Sequence, residues 1–478
     1  MTIVENEVQI PGQIVVLDPQ DGSTVGTVPA ASKADAERAV DFASRAFESY
    51  RTLPANVRSS ALAEVAKLLH EEREEFSRLI AREGIKTIRE ARREVARCVN
   101  TLKLSAEEVS RLTGETIPFD QAEGSENRVG YYRRIPLGVV VAITPFNDPL
   151  NLVAHKIGPA IAAGNAVILK PHSETPLSAQ RLVNLFARTG LPAGLLQMLT
   201  GRGSEIGDTL VSDPRVRMIS FTGGKDVGKH IQAIAGVKKL AMELGSSCPV
   251  IVFPDADEAL ALDASISGAF WAAGQNCLHV QRLLLHETIF DDFARQFCQR
   301  ATALRVGNKL DDATDMGPMI NEQAAKKLEA LVVDALDSGA SLLCGGRRQG
   351  NVFFPTVLAN VDPTCAIAEE EVFGPVTILE RFNSVEEAIA KANSVDHGLQ
   401  AGIFTRDLNI AFRVADALDC GGVMINDSSD FRIDAMPFGG TKGSGIGREG
   451  VAHAAREMSD VKTYCFNLQQ SVGCETDL

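Results

Sequence analysis

Three short segments of this chain carry residue types that together could do carbonyl chemistry: Thr144-Pro145-Phe146-Asn147, Met242-Glu243-Leu244-Gly245 and Gly274-Gln275-Asn276-Cys277. A thiolate at Cys277 can add to an electrophilic carbonyl carbon. A side-chain amide at Asn147 can hold the oxyanion that results. A carboxylate at Glu243 can activate the water that releases an acyl product. Each residue taken singly has a plainer explanation. A buried cysteine is ordinarily an inert small hydrophobe, a carboxylate can sit on a helix surface or at an N-cap, and an asparagine close before a proline can simply form a turn. That plainer explanation is kept for Cys98, Cys248, Cys298, Cys344, Cys365, Cys420 and Cys465.

Hydrophobic periodicity shows which elements must position these side chains. Ser32 with Asp35 reads as a capping box ahead of Ala39, Val40, Ala43 and Phe47, and a second amphipathic run from Leu62 to Ile80 stops at Gly84. A third helix is predicted over about 88–111, followed by a polar loop or hairpin over 114–132. From Gly138 the texture changes to short apolar strands at 139–143, 166–169, 195–199, 218–221 and 249–253, alternating with helix-like stretches near 150–163, 176–189 and 225–235. That alternation predicts a doubly wound parallel sheet and a nucleotide-binding half. A second alternating series begins after about residue 255, with strands at 281–285, 401–404 and 422–426, and Cys277 lies just ahead of its first strand. The prediction is an α/β protein whose two doubly wound domains face each other across a cleft.

Composition excludes several classes. The 478 residues suit two or three domains at roughly 150 residues each. A hydrophobic fraction of 45% is ordinary for a globular chain, and no apolar run reaches the roughly 18 residues of a membrane span. A net charge of −14 opposes binding to nucleic acid or to an anionic membrane, which leaves small-molecule chemistry. The nine cysteines are odd in number and scattered without paired spacing, which argues against a disulfide framework or a metal site and for a reducing compartment. The start Met1-Thr2-Ile3-Val4-Glu5-Asn6-Glu7 lacks the basic and apolar regions of a signal peptide, so a cytoplasmic location is expected.

No G-x-G-x-x-G occurs at a strand-to-helix turn. The nearest substitute is Phe221-Thr222-Gly223-Gly224-Lys225-Asp226-Val227-Gly228, where glycines permit a tight turn and close approach of a pyrophosphate to a helix N-terminus. Together with Ile168-Leu169-Lys170-Pro171, Glu371-Val372-Phe373-Gly374-Pro375, Pro437-Phe438-Gly439-Gly440 and the three catalytic segments, this turn makes nearly the whole chain resemble the NAD(P)-dependent aldehyde dehydrogenases. The joint order of these motifs decides between the chemical and the plainer explanations of Cys277, Glu243 and Asn147. Glu371 lies in a run of three glutamates that would otherwise read as a solvated charge cluster, and only its offset from Phe373-Gly374-Pro375 singles it out.

The resemblance implies a dinucleotide-binding domain over 1–113 and 133–244, a catalytic domain over 245–460, and a small β module for oligomerisation from 114–132 and 461–478. A homodimer or homotetramer is expected. Lys170 is implied to contact the adenosine ribose, Glu371 the nicotinamide ribose and Phe373 the nicotinamide region. The implied cofactor set also takes in Thr144, Pro145, Phe146, Ser173, Gly203, Phe221, Thr222, Gly223, Gly224, Val227 and Leu244. Glu449 matches a position implicated in proton relay or loop anchoring. The implied reaction runs through a Cys277 thiohemiacetal and a thioester that Glu243-activated water hydrolyses.

Departures from the family pattern bear on cofactor and substrate. Where NAD-preferring members often place a glutamate, this chain has Ser173, which does not repel a 2′-phosphate beside Lys170, so use of NADP is expected alongside NAD, although the adjacent Glu174 works against it. Asp148, with Asn276 and His279 flanking Cys277 and Leu278, suggests a polar pocket, and Leu278 is expected to line it. Arg97, His155 and Arg432 match a subset that handles phosphate, phosphonate or other acid groups, yet the arginine some of those members carry before the nucleophile is Asn276 here. Arg97 paired on its helix with Glu94 and His155 as a satisfied core histidine is the plainer alternative. The expected substrate is a short, hydroxylated or acid-bearing aldehyde. Three alternatives stand beside it: a coenzyme A-acylating member, which the Glu243 carboxylate disfavours, a thiol esterase or acyltransferase without dinucleotide binding, and a non-catalytic descendant.

Overall fold

The computed structural model describes residues 12–468. The segment Met1–Glu7 and the end of the 461–478 segment therefore lie outside the described residues.

Local sequence accounts for the helix starts. Ser32 Oγ accepts the Asp35 N–H and the Asp35 carboxylate accepts the Ser32 N–H at 2.8 Å, opening helix Lys33–Tyr50 as predicted. Thr87 and Glu90 repeat the capping box ahead of helix Ile88–Glu108. The run from Leu62 to Ile80, predicted as one helix, is two: Ala55–Glu71 and Arg73–Glu83 break at Glu72, where φ is −91° and ψ 13°. The break sets the Glu72 carboxylate against Arg181 at 2.9 Å and Arg188 at 2.7 Å, a tertiary tie with no trace in local periodicity.

Five parallel strands, Leu196–Met198, Ala166–Lys170, Val139–Ile143, Val216–Thr222 and Lys239–Glu243, form the first sheet in that order, with Gly445–Ile446 added antiparallel at the Lys239–Glu243 edge. Alternation along Val139–Ile143 sends Val140 and Ala142 to a core with helices Ala55–Glu71 and Ile88–Glu108, and Val139, Val141 and Ile143 to a core with helix Lys33–Tyr50. Both faces are covered, which explains why the strand reads as an unbroken apolar run.

The second sheet runs Ser341–Cys344, Thr356–Ala359, Val376–Phe382, Val280–His286, Cys248–Val252, Gln400–Phe404 and Gly422–Ile425, all parallel except the first. The strand predicted at 249–253 within the first series belongs here, at the centre of this sheet. Pairing choice is a long-range property that strand order along the chain does not contain. A third, antiparallel sheet places Arg128–Pro136 between Glu115–Thr116 and Ser459–Asn467. Strand Arg128–Pro136 runs across the expected boundary at residue 133. The architecture is thus α/β with two doubly wound sheets and a small β unit. No helix among the described residues is long and apolar enough to cross a membrane.

Candidate active site

The first sheet delivers its chemistry at strand C-termini, where doubly wound sheets bind ligands. Glu243 ends Lys239–Glu243, Thr222 ends Val216–Thr222, and Asn147 follows the end of Val139–Ile143. Cys277 comes from the other sheet, ahead of Val280–His286. Its approach is a strained turn: Ala272 and Ala273 hold φ of 51° and 53°, and Gly274 holds φ of 66° where a Cβ would strike the Gly374 carbonyl. The turn is fixed by the Ala272 N–H donating to Glu90 Oε1 at 2.8 Å and the Gln275 amide donating to the Pro318 carbonyl at 3.1 Å.

Cys277, Glu243 and Asn147 line one cavity of about 360 Å³ between the two sheets, together with Asp148, Thr222, Asn276, Leu278, Arg97, Arg432 and Glu449. Burial pushes the Cys277 thiol up, while the Arg432 guanidinium pulls the other way. Burial also raises the Glu243 carboxyl well above the usual range, and the neighbouring Glu449 adds to the rise. Glu243 Oε2 has no hydrogen-bond partner among the described residues. Burial works to raise Glu449 as well, but Lys156 Nζ donates to its Oε1 at 2.9 Å and Arg432 to its Oε2 at 3.1 Å, and these two cations hold it below the usual range. One buried carboxylate is therefore paired and ionised, and the other is unpaired and basic.

The predicted anion-binding cations are mostly occupied. Arg97 donates to Asp434 Oδ1 at 2.9 Å, and its Nη1 lies 3.8 Å from Asp148. It does not pair with Glu94, which instead accepts the N–H groups of Leu150 and Asn151 at 2.8 and 3.0 Å and pairs with Lys86 at 2.8 Å. Lys86 also contacts Asp148. His155, expected to touch substrate, lies fully buried outside the cavity lining, with Nε2 3.0 Å from the same Asp434 oxygen, and burial lowers its basicity. Its place is behind the wall, on the fully buried helix Asn151–Ala162. Asn276 Oδ1 accepts the Leu278 N–H at 2.9 Å, which braces the nucleophile's own loop. Arg93, Trp271 and Lys86 also line the cavity and were not singled out from sequence. Arg93 stands one helical turn before Arg97, and that spacing was the available signal.

The expected cofactor residues gather around the same strand ends, and of them only Thr222 lines the cavity. Lys170 is buried, its ammonium donating among the described residues only to the Pro171 carbonyl at 3.4 Å, and burial pushes it down to about 8. Ser173 Oγ donates to the Gly201 carbonyl at 3.2 Å, while the Glu174 carboxylate accepts from Asn321 at 3.3 Å. Gly224 caps helix Lys225–Ile234, and at Gly228 an added Cβ would press into Leu244. Val227 is exposed on that helix, and Gly203 begins helix Gly203–Ser212. Phe146 packs edge-on to Phe373 at 5.6 Å, and Phe373 holds a left-handed φ of 47°. Pro145 is half-buried beside Thr144, whose hydroxyl is buried without a partner. Glu371 Oε1 accepts the Ser246 N–H at 3.0 Å, Gly245 leaves room for its carboxylate, and burial pushes that group up to about 7. No group of three or more metal-ligating side chains occurs among the described residues.

Comparison with known proteins agrees with this geometry. Residues 6–464 match the aldehyde dehydrogenase family. Aspartate-semialdehyde dehydrogenase 1 of Pseudomonas canavaninivorans is 52% identical over 455 residues, which cover 95% of this chain and 97% of that one. The 3-sulfolactaldehyde dehydrogenase of Priestia aryabhattai is 42% identical over 453 residues, covering 95% and 94%. The crystal structure of glyceraldehyde-3-phosphate dehydrogenase GapN from Methanocaldococcus jannaschii, complexed with NADP, superposes with a TM-score of 0.91 at 42% identity, over 97% of this chain and 100% of that one. The chain belongs to the aldehyde dehydrogenase family.

Proposed function

We propose that this protein oxidises a short, polar or acid-bearing aldehyde to the carboxylic acid with NADP or NAD, through a thiohemiacetal and then a thioester on Cys277. One observation carries the reading: a nucleophile, a side-chain amide and a buried carboxylate with one oxygen unpartnered among the described residues line one cavity. Cys277 loses its thiol proton to solvent, the thiolate adds to the aldehyde carbon, and the carbonyl oxygen becomes an oxyanion that the Asn147 amide holds. A bound nicotinamide supplies the two-electron oxidation by accepting hydride. Glu243 then deprotonates a water, hydroxide adds to the thioester carbon, and collapse expels the Cys277 thiolate and frees the acid. Arg432 favours the thiolate because its positive charge stabilises that form.

The residues present fit the dinucleotide. Lys170, with no carboxylate partner among the described residues, could offer its buried ammonium to ribose hydroxyls or a 2′-phosphate, Gly223 and Gly224 at the start of helix Lys225–Ile234 could take a pyrophosphate, and Glu371 could accept from the nicotinamide ribose. Glu174 is engaged with Asn321, which supports the NADP reading from Ser173. The names of the aspartate-semialdehyde and 3-sulfolactaldehyde relatives support a short polar substrate. Exposed Val129, Tyr131, Val461 and Phe466 on the three-stranded sheet suit a subunit contact in a homodimer or homotetramer.

The test is Glu243→Gln. The expected result is one burst of reduced nicotinamide per subunit, then a stall, with the acyl group on Cys277 by intact mass. Continued turnover at the wild-type rate, or an adduct elsewhere, refutes the assignment.

A further inference from the structure

Four cations line the cavity: Lys86, Arg93, Arg97 and Arg432. Three are already neutralised. Lys86 pairs with Glu94 and Asp148, Arg97 with Asp434, and Arg432 with Glu449. An incoming anion would have to displace a buried carboxylate from each of these, and that leaves a charge uncompensated. Arg93 differs. It forms no ion pair with any described carboxylate, and it is exposed at the cavity edge on helix Ile88–Glu108. Its Cζ lies 5.4 Å from the centroid of the Trp271 ring, which also lines the cavity and precedes the strained turn leading to Cys277.

We propose that Arg93, held against Trp271, reads an oxyanion group at the far end of the aldehyde. The assignment rests on the aldehyde oxidation proposed above and moves the anion contact one helical turn from Arg97, where sequence alone placed it. A guanidinium against an aromatic ring keeps the N–H groups along its edge available, and that edge matches the two oxygens of a carboxylate or the face of a sulfonate. Trp271 fixes the guanidinium before substrate arrives, so less side-chain freedom is lost on binding. Asp148, bound to Lys86 and beside the oxyanion residue Asn147, sets negative charge on the same wall next to the reacting carbon's holder. The charge of the substrate is therefore held toward the outer end, and the uncharged aldehyde end goes in toward Cys277.

The probes are 4-oxobutanoate and butanal, which differ in having a carboxylate or a methyl at the far carbon. In the wild-type enzyme with NADP, kcat/KM is expected to favour 4-oxobutanoate. Arg93→Ala is expected to lower the ratio of the two kcat/KM values by about ten- to a hundredfold, with the loss for 4-oxobutanoate in KM, since one charge-assisted contact is removed. Arg93→Lys is expected to recover part of the ratio. A sulfonate probe, 3-oxopropanesulfonate, separates the two oxyanion sources: a fall in its ratio alone assigns sulfonate, and a fall in both assigns the shared charge. An unchanged ratio in Arg93→Ala for both acids, or a wild-type preference for butanal, overturns the assignment. Should neither aldehyde be oxidised and no acyl group form on Cys277, the proposed chemistry itself falls. Oxidation with an unchanged ratio overturns Arg93 alone.

Discussion

Replacing Asn147 by alanine tests the oxyanion assignment most directly, because the structure separates its catalytic from its structural effect. Asn147 is buried, at 7% exposure, yet its side chain makes no hydrogen bond to any described residue. Truncation therefore leaves no protein group orphaned, and the melting temperature is expected to stay close to wild type. The amide instead matters when the carbonyl oxygen becomes an anion. Loss of one such donor costs about 2.7–4 kcal/mol of transition-state stabilisation, or about 10²–10³ in turnover. Because the contact strengthens only as charge develops, the loss is expected in kcat with KM nearly unchanged. Single-turnover formation of reduced nicotinamide, followed by its absorbance, isolates the step before thioester hydrolysis. Asn147→Asp, which sets a negative charge against the oxyanion, is expected to be slower still. A kcat for Asn147→Ala within about threefold of wild type refutes the reasoning, since no oxyanion donor so placed is that dispensable.

Three further outcomes follow from the same wall and its surroundings. Because the Glu243 carboxyl is held above the ordinary range, its base form is lost as pH falls through that raised value, so the acid limb of thioester hydrolysis is expected above the usual glutamate pKa of about 4.3, and Glu243→Gln is expected to abolish the limb in a pH profile of the deacylation rate. Ser173→Glu is expected to lower the ratio of kcat/KM with NADP to that with NAD at least about tenfold, because a carboxylate there repels a 2′-phosphate; an unchanged ratio removes Ser173 from cofactor choice. Asp434→Ala strips Arg97, His155 and Asn151 of their shared acceptor and is expected to cost about 3 kcal/mol in urea unfolding at neutral pH. The Asp434 carboxyl is held below its usual range by His155 and Arg97 against the opposing effect of burial. Its contribution is thus present above the ordinary aspartate pKa and fades as pH falls through the depressed value, so the wild-type and variant curves are expected to converge in acid.

What could be seen in the sequence was whatever is local. The capping box at Ser32 and the five-residue strand Val139–Ile143 are set by neighbours in the chain and lie where the sequence places them, whereas the equally local box at Thr87 was not singled out. Strand Lys239–Glu243 escaped because its first two residues are half-buried and its pattern is too short and too polar to read as apolar. The break at Glu72 depends on Arg181 and Arg188, more than a hundred residues away. The site divides in the same manner. Cys277, Glu243 and Asn147 are named by their motifs, whereas the choice between Arg93 and Arg97 depends on Asp434, which reaches Arg97 across the fold. No inspection of helix Ile88–Glu108 alone could show which of Arg93 and Arg97 is spoken for.

The same distinction between paired and unpaired charge explains how one cavity can hold so many ionisable groups. A buried charge is tolerated when a partner stands within hydrogen-bond reach, so Glu449 is ionised between Lys156 and Arg432, and Lys86 and Arg97 are matched by Glu94, Asp148 and Asp434. Chemistry is left to the groups that this pairing omits. Burial raises the Glu243 carboxyl, no described partner to its Oε2 offsets that, and the fixed negative charge of Glu449 adds to the rise. Arg93 lacks a carboxylate and is available to substrate for the corresponding reason. Neutralising the wall first leaves one base for proton transfer and one cation, Arg93, for charge recognition, which orients an aldehyde that carries an acid group with its carbonyl toward Cys277.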